Sequence, residues 1–227
     1  MLILNKPPGI VVHPTHGHYT GTLANGVVHY WRGKGEKVRF RPIHRLDEDT
    51  SGIVVIAKNA YVHQQLSEQM QAGKMDKNYV AYVYGQVDKA EQLIDAPIDR
   101  DPAQPHMRTV IQTGYASQTI VKAVKYYRYV HKDTNEVTNA TLVQLKLLTG
   151  RTHQIRVHTH YIGHPLIGDQ MYKAPDKYML ELPMSRQALH ANKLTFIHPM
   201  TRVRMTIEAP FPEDFKQLES RLQEEFL

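Results

Sequence analysis

His44-Arg45-Leu46-Asp47-Glu48-Asp49-Thr50-Ser51-Gly52-Ile53-Val54-Val55-Ile56-Ala57 runs from a basic pair, through three carboxylates, into an unbroken apolar segment. A mostly β-branched run such as Ile53–Ala57 reads as a buried strand. The polar stretch before it, closed by Ser51-Gly52, reads as a turn or loop. Leu46, set between Arg45 and Asp47, anchors such a loop in the core while its neighbours face outward. A carboxylate beside Arg and His is kept ionised by the adjacent positive charge. That chemistry suits a nucleophile or general base acting on a polyanionic substrate. The plainer alternative is a solvated turn in which Asp and Ser serve as caps.

The chain has 227 residues, enough for one large domain or two small ones with a sizeable core. It is 41% hydrophobic and 22% charged, the balance of an ordinary globular protein. Cysteine is absent, which excludes disulfides and thiolate metal sites and fits a reducing cytoplasm. Met1-Leu2-Ile3-Leu4 is broken by Asn5-Lys6-Pro7-Pro8-Gly9, too early for a signal peptide or a membrane span. The formal charge of +6 favours an anionic partner, of which nucleic acid is the commonest. No run of five or six like charges marks a disordered basic tail.

Outward from the opening segment, the pattern predicts a short strand at 10–13 after the Pro-Pro-Gly turn. A helix is expected from an Asn59 cap, with Val62, Leu66 and Met70 on one face and Gly73 at its end. Residues 78–84 alternate as a strand. Residues 95–118, with Pro97, Pro102, Pro105 and Gly114, read as a long loop carrying Arg100, His106 and Arg108. Strands are expected at 119–130, 140–148, 188–197 and 202–208. A helix capped by Thr152 should run to about Ile162. The spacing of Phe215, Leu218, Leu222 and Phe226 predicts a closing amphipathic helix. Many strands with scattered helices argue for an α+β fold rather than βαβ units.

A second dense patch is Thr149-Gly150-Arg151-Thr152-His153-Gln154-Ile155-Arg156-Val157-His158. On the expected helix His153, Arg156 and His160 share one polar face, near an N-terminus that favours anions. A basic solvent face is the alternative. His153, His158, His160 and His164 lie close in sequence, but no carboxylate lies among them and no His-Glu-x-x-His occurs, so no metal site is read.

Both patches resemble signatures of the RluA-type RNA pseudouridine synthases, one in His44-Arg45-Leu46-Asp47 and the other in Thr149–His158. The resemblance extends to Asn5-Lys6-Pro7-Pro8-Gly9, to Ile162-Gly163-His164-Pro165-Leu166-Ile167-Gly168-Asp169 and to Ala188-Leu189-His190-Ala191, in family order from about residue 4 to residue 208. It implies a long mixed, mostly antiparallel sheet with flanking helices and a central cleft, formed by residues 1–227 as a single catalytic domain. It implies that Asp47 is the catalytic carboxylate and Arg156 its basic partner. Tyr79, 32 residues after Asp47, falls in the family's Tyr-x-Ala segment and would stack on the uracil near C5. Arg45 would fill the gap left by an extruded uridine, with His44 alongside. Arg151, His153, Arg100 and Arg108 complete the expected substrate-binding set. Many relatives carry an upstream RNA-binding domain of the S4 type, which is not found here. The expectation is either a stand-alone form or a chain from which that portion has been removed.

The resemblance thus implies an isomerase converting a specific uridine of ribosomal or transfer RNA to pseudouridine in the cytoplasm. The conversion breaks C1′–N1 and rejoins the uracil through C5 without redox change, phosphoryl transfer or hydrolysis, so neither cofactor nor metal is implied. The expected partner is structured RNA, with no membrane and no obligate protein partner. Whether Asp47 acts as nucleophile or as base on the ribose stays open. Two other classes fit parts of the pattern. A nucleoside or glycoside hydrolase could pair Asp47 with Glu48 or Asp49, and would release free uracil. A non-catalytic RNA-binding module could keep the fold without the activity.

Overall fold

A computed structural model of the chain describes residues 1–88, 91–130, 135–174 and 184–225. They form an α+β fold of mostly antiparallel strands with four helices. The chain divides into two compact units, Met1–Lys77 with Ala191–Pro210, and Asn78–His190 with Phe211–Leu227.

In the first unit the segment Ser51–Ile56 forms β2, buried at every residue. It pairs antiparallel with β1 (Leu2–Lys6) in the register Leu2↔Ile56 to Lys6↔Gly52. Its other neighbour is β9 (Leu189–Ile197), which pairs with β10 (Arg204–Glu208). Ser51 and Gly52 therefore open the strand rather than close a turn. Gly52 has φ +120, and a Cβ there would meet the Ala191 carbonyl oxygen at 2.3 Å. Only glycine allows this approach of the two backbones. The helix α2 (Ala60–Gln71) has the expected cap, Asn59 Oδ1 accepting from the Val62 N–H at 2.9 Å, and Gly73 follows its end in the left-handed region. Val62 and Leu66 enter a core with Ile53, Val55 and Phe196, each contributing roughly 1.5–3 kcal/mol by burial.

The short strand expected at 10–13 is absent. The carbonyls of Val11 and Val12 instead accept from the N–H groups of Leu23 and Ala24, at 2.9 and 3.1 Å. The backbone there satisfies the first turn of α1 (Leu23–Gly33), a helix the pattern did not disclose. Thr22 and Asn25 form its capping box, and Ala24, Val27 and Trp31 are its buried stripe.

The second unit is built on β3 (Asp76–Tyr84), β8 (Val137–Leu147) and β7 (Gln118–Val130), adjacent in that order. Its N-terminal two residues place β3 slightly earlier than the alternation indicated. The strand β4 (Glu91–Asp95) runs antiparallel to β7. The expected long loop at 95–118 holds a small antiparallel pair, β5 (Ile98–Arg100) and β6 (Arg108–Val110). Strands of three residues are too short to show alternation. The closing helix is shorter than its spacing implied: α4 covers Glu213–Glu219, with Phe215 and Leu218 buried. The chain then turns and Gln223–Glu225 pairs with β7 as β11, because an unpaired strand edge offers backbone bonds that outweigh helical continuation. Leu222 is still buried, whereas Phe226 lies outside the described residues.

Candidate active site

In the first unit the loop before β2 is fastened at both ends. Leu46 is buried as anticipated. Lys6, itself 1% exposed, donates from Nζ to the carbonyls of Glu48 (2.7 Å), Ile10 (2.8 Å) and Pro7 (2.9 Å). A buried ammonium with three carbonyl acceptors has all its protons satisfied, and it ties the carboxylate loop to the Pro-Pro-Gly turn. The Thr50 N–H donates to the Asp47 carbonyl at 3.1 Å, closing the turn. Asp47 and Asp49 are partly exposed, and Glu48 and Arg45 are exposed. His44 differs from its neighbour: both ring nitrogens are buried without a hydrogen-bond partner among the described residues. Burial, and secondarily the charge of Lys77, depress its pKa to about 4, so the imidazole is neutral at physiological pH.

The second unit holds Tyr79, Arg100, Arg108, Arg151, His153 and Arg156. The helix α3 (Gln154–Tyr161) begins one residue later than expected, with His153 rather than Thr152 at its N-cap. His153 has φ 56 and no side-chain capping bond. A non-glycine residue in the left-handed region is held there by its surroundings. The restraint is Gln154, 2% exposed. Its Oε1 accepts from the Arg151 N–H and the Thr149 hydroxyl, both at 2.9 Å. Its Nε2 donates to the Gln118 carbonyl and Thr119 Oγ1, both at 3.0 Å. One amide therefore ties Thr149 and Arg151 of the 149–153 turn to Gln118 and Thr119 of β7.

Arg156 is not on a solvent face. Its side chain is 7% exposed and meets a fully buried Asp169 through Nε–Oδ2 at 2.7 Å and Nη2–Oδ1 at 2.8 Å. Asp169 Oδ1 also accepts from the N–H groups of Met171 and Tyr172, each at 2.9 Å. Burial alone would raise the Asp169 pKa, but the hydrogen bond and charge of Arg156, with those two N–H groups, bring it below the ordinary value. The guanidinium lies over the Tyr172 ring at 5.1 Å. Tyr172 in turn gathers the polar face of α3, with His153 at 5.7 Å and His160 at 6.3 Å between ring centroids. Its hydroxyl accepts from the Arg108 N–H at 2.9 Å and contacts His153 Nδ1 at 3.0 Å.

The Arg108 backbone and the side chains of His153 and Arg156 are thus brought together through Tyr172, a residue that no motif singled out. Arg100 faces Arg108 across the β5–β6 pair. Arg151 lies apart, stacked at 5.2 Å on the exposed Tyr115. Tyr79 is buried, at 6% exposure. The other histidines are dispersed: His158 is buried between Thr119 Oγ1 and the Ala96 carbonyl, both at 2.9 Å, and His164 Nδ1 meets the Tyr84 carbonyl at 2.9 Å. No group of three or more potential metal ligands occurs among the described residues. Nor is any helix among them long and apolar enough to cross a membrane. Sequence reasoning missed Lys6, Gln154, Asp169 and Tyr172 as positioning residues. Lys6, Gln154 and Asp169 do fall inside quoted motif segments.

Residues 1–161 match the model of the RNA pseudouridylate synthase family. The chain is 41% identical over 218 residues to the uncharacterized RNA pseudouridine synthase YhcT of Bacillus subtilis, covering 96% of this chain and 68% of the relative. It is 39% identical over 236 residues to ribosomal large subunit pseudouridine synthase D of Pseudomonas aeruginosa, covering 99% and 70%. In fold it resembles human RNA pseudouridylate synthase domain containing 1, with a TM-score of 0.76 at 24% identity over 99% of this chain and 85% of that one. With its family model matched over most of its length and close relatives spanned across two thirds or more, the chain belongs to the RluA-type RNA pseudouridine synthase family, isomerases that act on RNA.

Proposed function

We propose that this protein isomerises a specific uridine in ribosomal or transfer RNA to pseudouridine in the cytoplasm, with residues 1–227 as the catalytic domain and Asp47 as the catalytic carboxylate. The observation that carries the reading is the family match across residues 1–161, which contains Asp47, Tyr79 and Arg156 in motif order. The relative from Pseudomonas aeruginosa is named for the large ribosomal subunit, which favours ribosomal over transfer RNA as the substrate.

The chemistry asks for a carboxylate that acts as nucleophile or as base on the ribose, and for a proton acceptor at C5. Asp47 takes the first role. Its loop is held by Leu46 in the core and by Lys6 on the Glu48 carbonyl. Such fixed backbone favours a preorganised group. Tyr79 is assigned to the uracil. Arg156, with its orientation set by Asp169, is assigned the role of cationic partner. His44, Arg45, Arg100, Arg108, Arg151 and His153 are assigned to RNA binding, with the uridine leaving its stack to react.

The test is tritium release from C5-labelled uridine in a large-subunit ribosomal RNA transcript. Asp47→Asn is nearly isosteric and should fold and bind RNA, yet show no release even with excess enzyme in a single turnover. Glu48→Gln and Asp49→Asn should keep substantial activity. Release by a folded Asp47→Asn protein would sink the assignment, and free uracil among the products would move the chain to the hydrolase class.

A further inference from the structure

We infer that the first unit carries a nucleotide-binding subsite on α1, which takes one base and one adjacent phosphate of the RNA substrate. It rests on the reading that RNA is the substrate, and lies on residues none of the motifs includes. Behind its buried stripe, α1 presents a second stripe of Asn25, Val28, His29 and Arg32, spaced i, i+3, i+4 and i+7 on one face. This stripe lines a cavity of about 390 Å³ together with His13, Pro14, Ala24 and Phe40. That volume falls in the range of about 300–1,000 Å³ typical of small-ligand clefts.

The lining has the two chemistries that a nucleotide needs. The rings of His13 and Phe40, 5.9 Å apart between centroids and tilted by 35°, both line the cavity and supply the aromatic surface on which bases stack. Arg32 and His29 supply hydrogen-bond donors for a phosphate. Both are exposed, and neither has a hydrogen-bond or ion-pair partner among the described residues. Asn25 is committed elsewhere, its Oδ1 accepting from the Thr22 N–H at 2.9 Å as part of the helix cap.

The surroundings select a polyanion rather than a neutral ligand. Residues 13–41 contain five Lys or Arg and four His against a single acid, Glu36. That segment supplies four of the chain's six net positive charges. Glu36 is ion-paired with Lys58, so it does not oppose an incoming phosphate. Lys34 and Arg39 are exposed on the same segment, and so are Tyr19 (66%) and Tyr30 (53%). Cations interleaved with exposed rings are the pattern of single-stranded RNA recognition, in which bases stack and phosphates are tracked.

The test measures the affinity of a fluorescein-labelled oligouridylate across a salt series, together with crosslinking of the same RNA carrying 4-thiouridine. Arg32→Ala should weaken binding several-fold and reduce the log–log salt slope by about 0.7, one phosphate on a single strand. Phe40→Ala should cost roughly tenfold, and Phe40→Leu, which keeps the apolar bulk but not the ring, should cost nearly as much. Lys193→Ala, removing a charge already paired with Glu208 at 2.8 Å, is the control and should keep the wild-type slope. Crosslinks should map to peptides within residues 13–40. Wild-type affinity and slope in folded Arg32→Ala and Phe40→Leu proteins, while the wild type binds RNA and releases tritium, would overturn the subsite alone. A wild-type protein that neither binds RNA nor releases tritium would overturn both the subsite and the substrate reading beneath it.

Discussion

Asp169→Asn isolates what the buried ion pair of the second unit does. The asparagine can keep one oxygen for the Met171 and Tyr172 N–H groups. It must then turn an NH₂ toward Arg156 Nε, where the carboxylate accepted at 2.7 Å. The guanidinium, 7% exposed, loses the charge of Asp169. Breaking one side of such a pair costs about 3–5 kcal/mol, because the remaining charge stays buried. Against a total stability of roughly 5–15 kcal/mol, the variant folds with a narrow margin. For a chain of this size the melting temperature should fall by about 6–20 °C, taking 2–4 °C per kcal/mol. The pH dependence gives a second readout. The Asp169 carboxyl has a folded pKa below its ordinary value, so its contribution is complete above the unfolded value of about 3.9 and is lost as pH falls through the folded one. The gap between wild type and variant should therefore hold steady from about pH 8 to about pH 5 and close below about pH 4. Adding Arg156→Met to Asp169→Asn removes the buried cation as well, and should recover part of the stability without restoring tritium release. Thermal melts followed by circular dichroism, with the release assay on folded protein, make the comparison. Equal melting of wild type and Asp169→Asn at neutral pH, or a gap that persists in acid, would refute the reasoning.

His44, depressed to about 4 chiefly by burial, should make the fold less stable as pH drops from 6.5 toward 4. The unfolded chain takes up a proton there that the folded one refuses, worth roughly 3 kcal/mol in all. His44→Leu should flatten that part of the profile, leaving the slope of the same sign due to buried His158; an unchanged profile would show that His44 is solvated. Gly52→Ala, at φ +120 and 2.3 Å from the Ala191 oxygen, should cost about 3 kcal/mol or more through forced separation of β2 and β9. A wild-type urea midpoint would contradict that close approach. Tyr79→Phe should bind RNA normally yet slow the step after rejoining at C5 by roughly a hundredfold, and wild-type rates would reduce the tyrosine to packing.

The strand Ile53–Ile56, the Asn59 cap, the two long strands β7 and β8 and the loop before β2 were legible from residue order, because each depends on neighbours within one turn or one strand. A mostly β-branched run, an Asn ahead of an apolar face and an alternating stretch specify local backbone whatever the rest of the chain does. The same is true of motif content, and so the family and the candidate carboxylate could be named before any geometry was known. Tertiary structure decided which side chains serve which. Val11 and Val12 look like a strand and instead cap α1, because helix donors reach their carbonyls first. Residues after Glu219 leave their helical spacing because the edge of β7 stands open beside them. Arg156 looks like part of an exposed basic face, and Asp169, distant by more than three helical turns, takes it into the core. Gln154 shapes its turn through Gln118 and Thr119, and Lys6 holds the loop of Asp47 from 42 residues away. Periodicity and capping act over a few residues, whereas a buried charge or amide must find its partner wherever the folded chain brings one within 3 Å. Sequence alone therefore determined the elements and the chemistry on offer, and the long-range hydrogen bonds determined which of those residues are held in place.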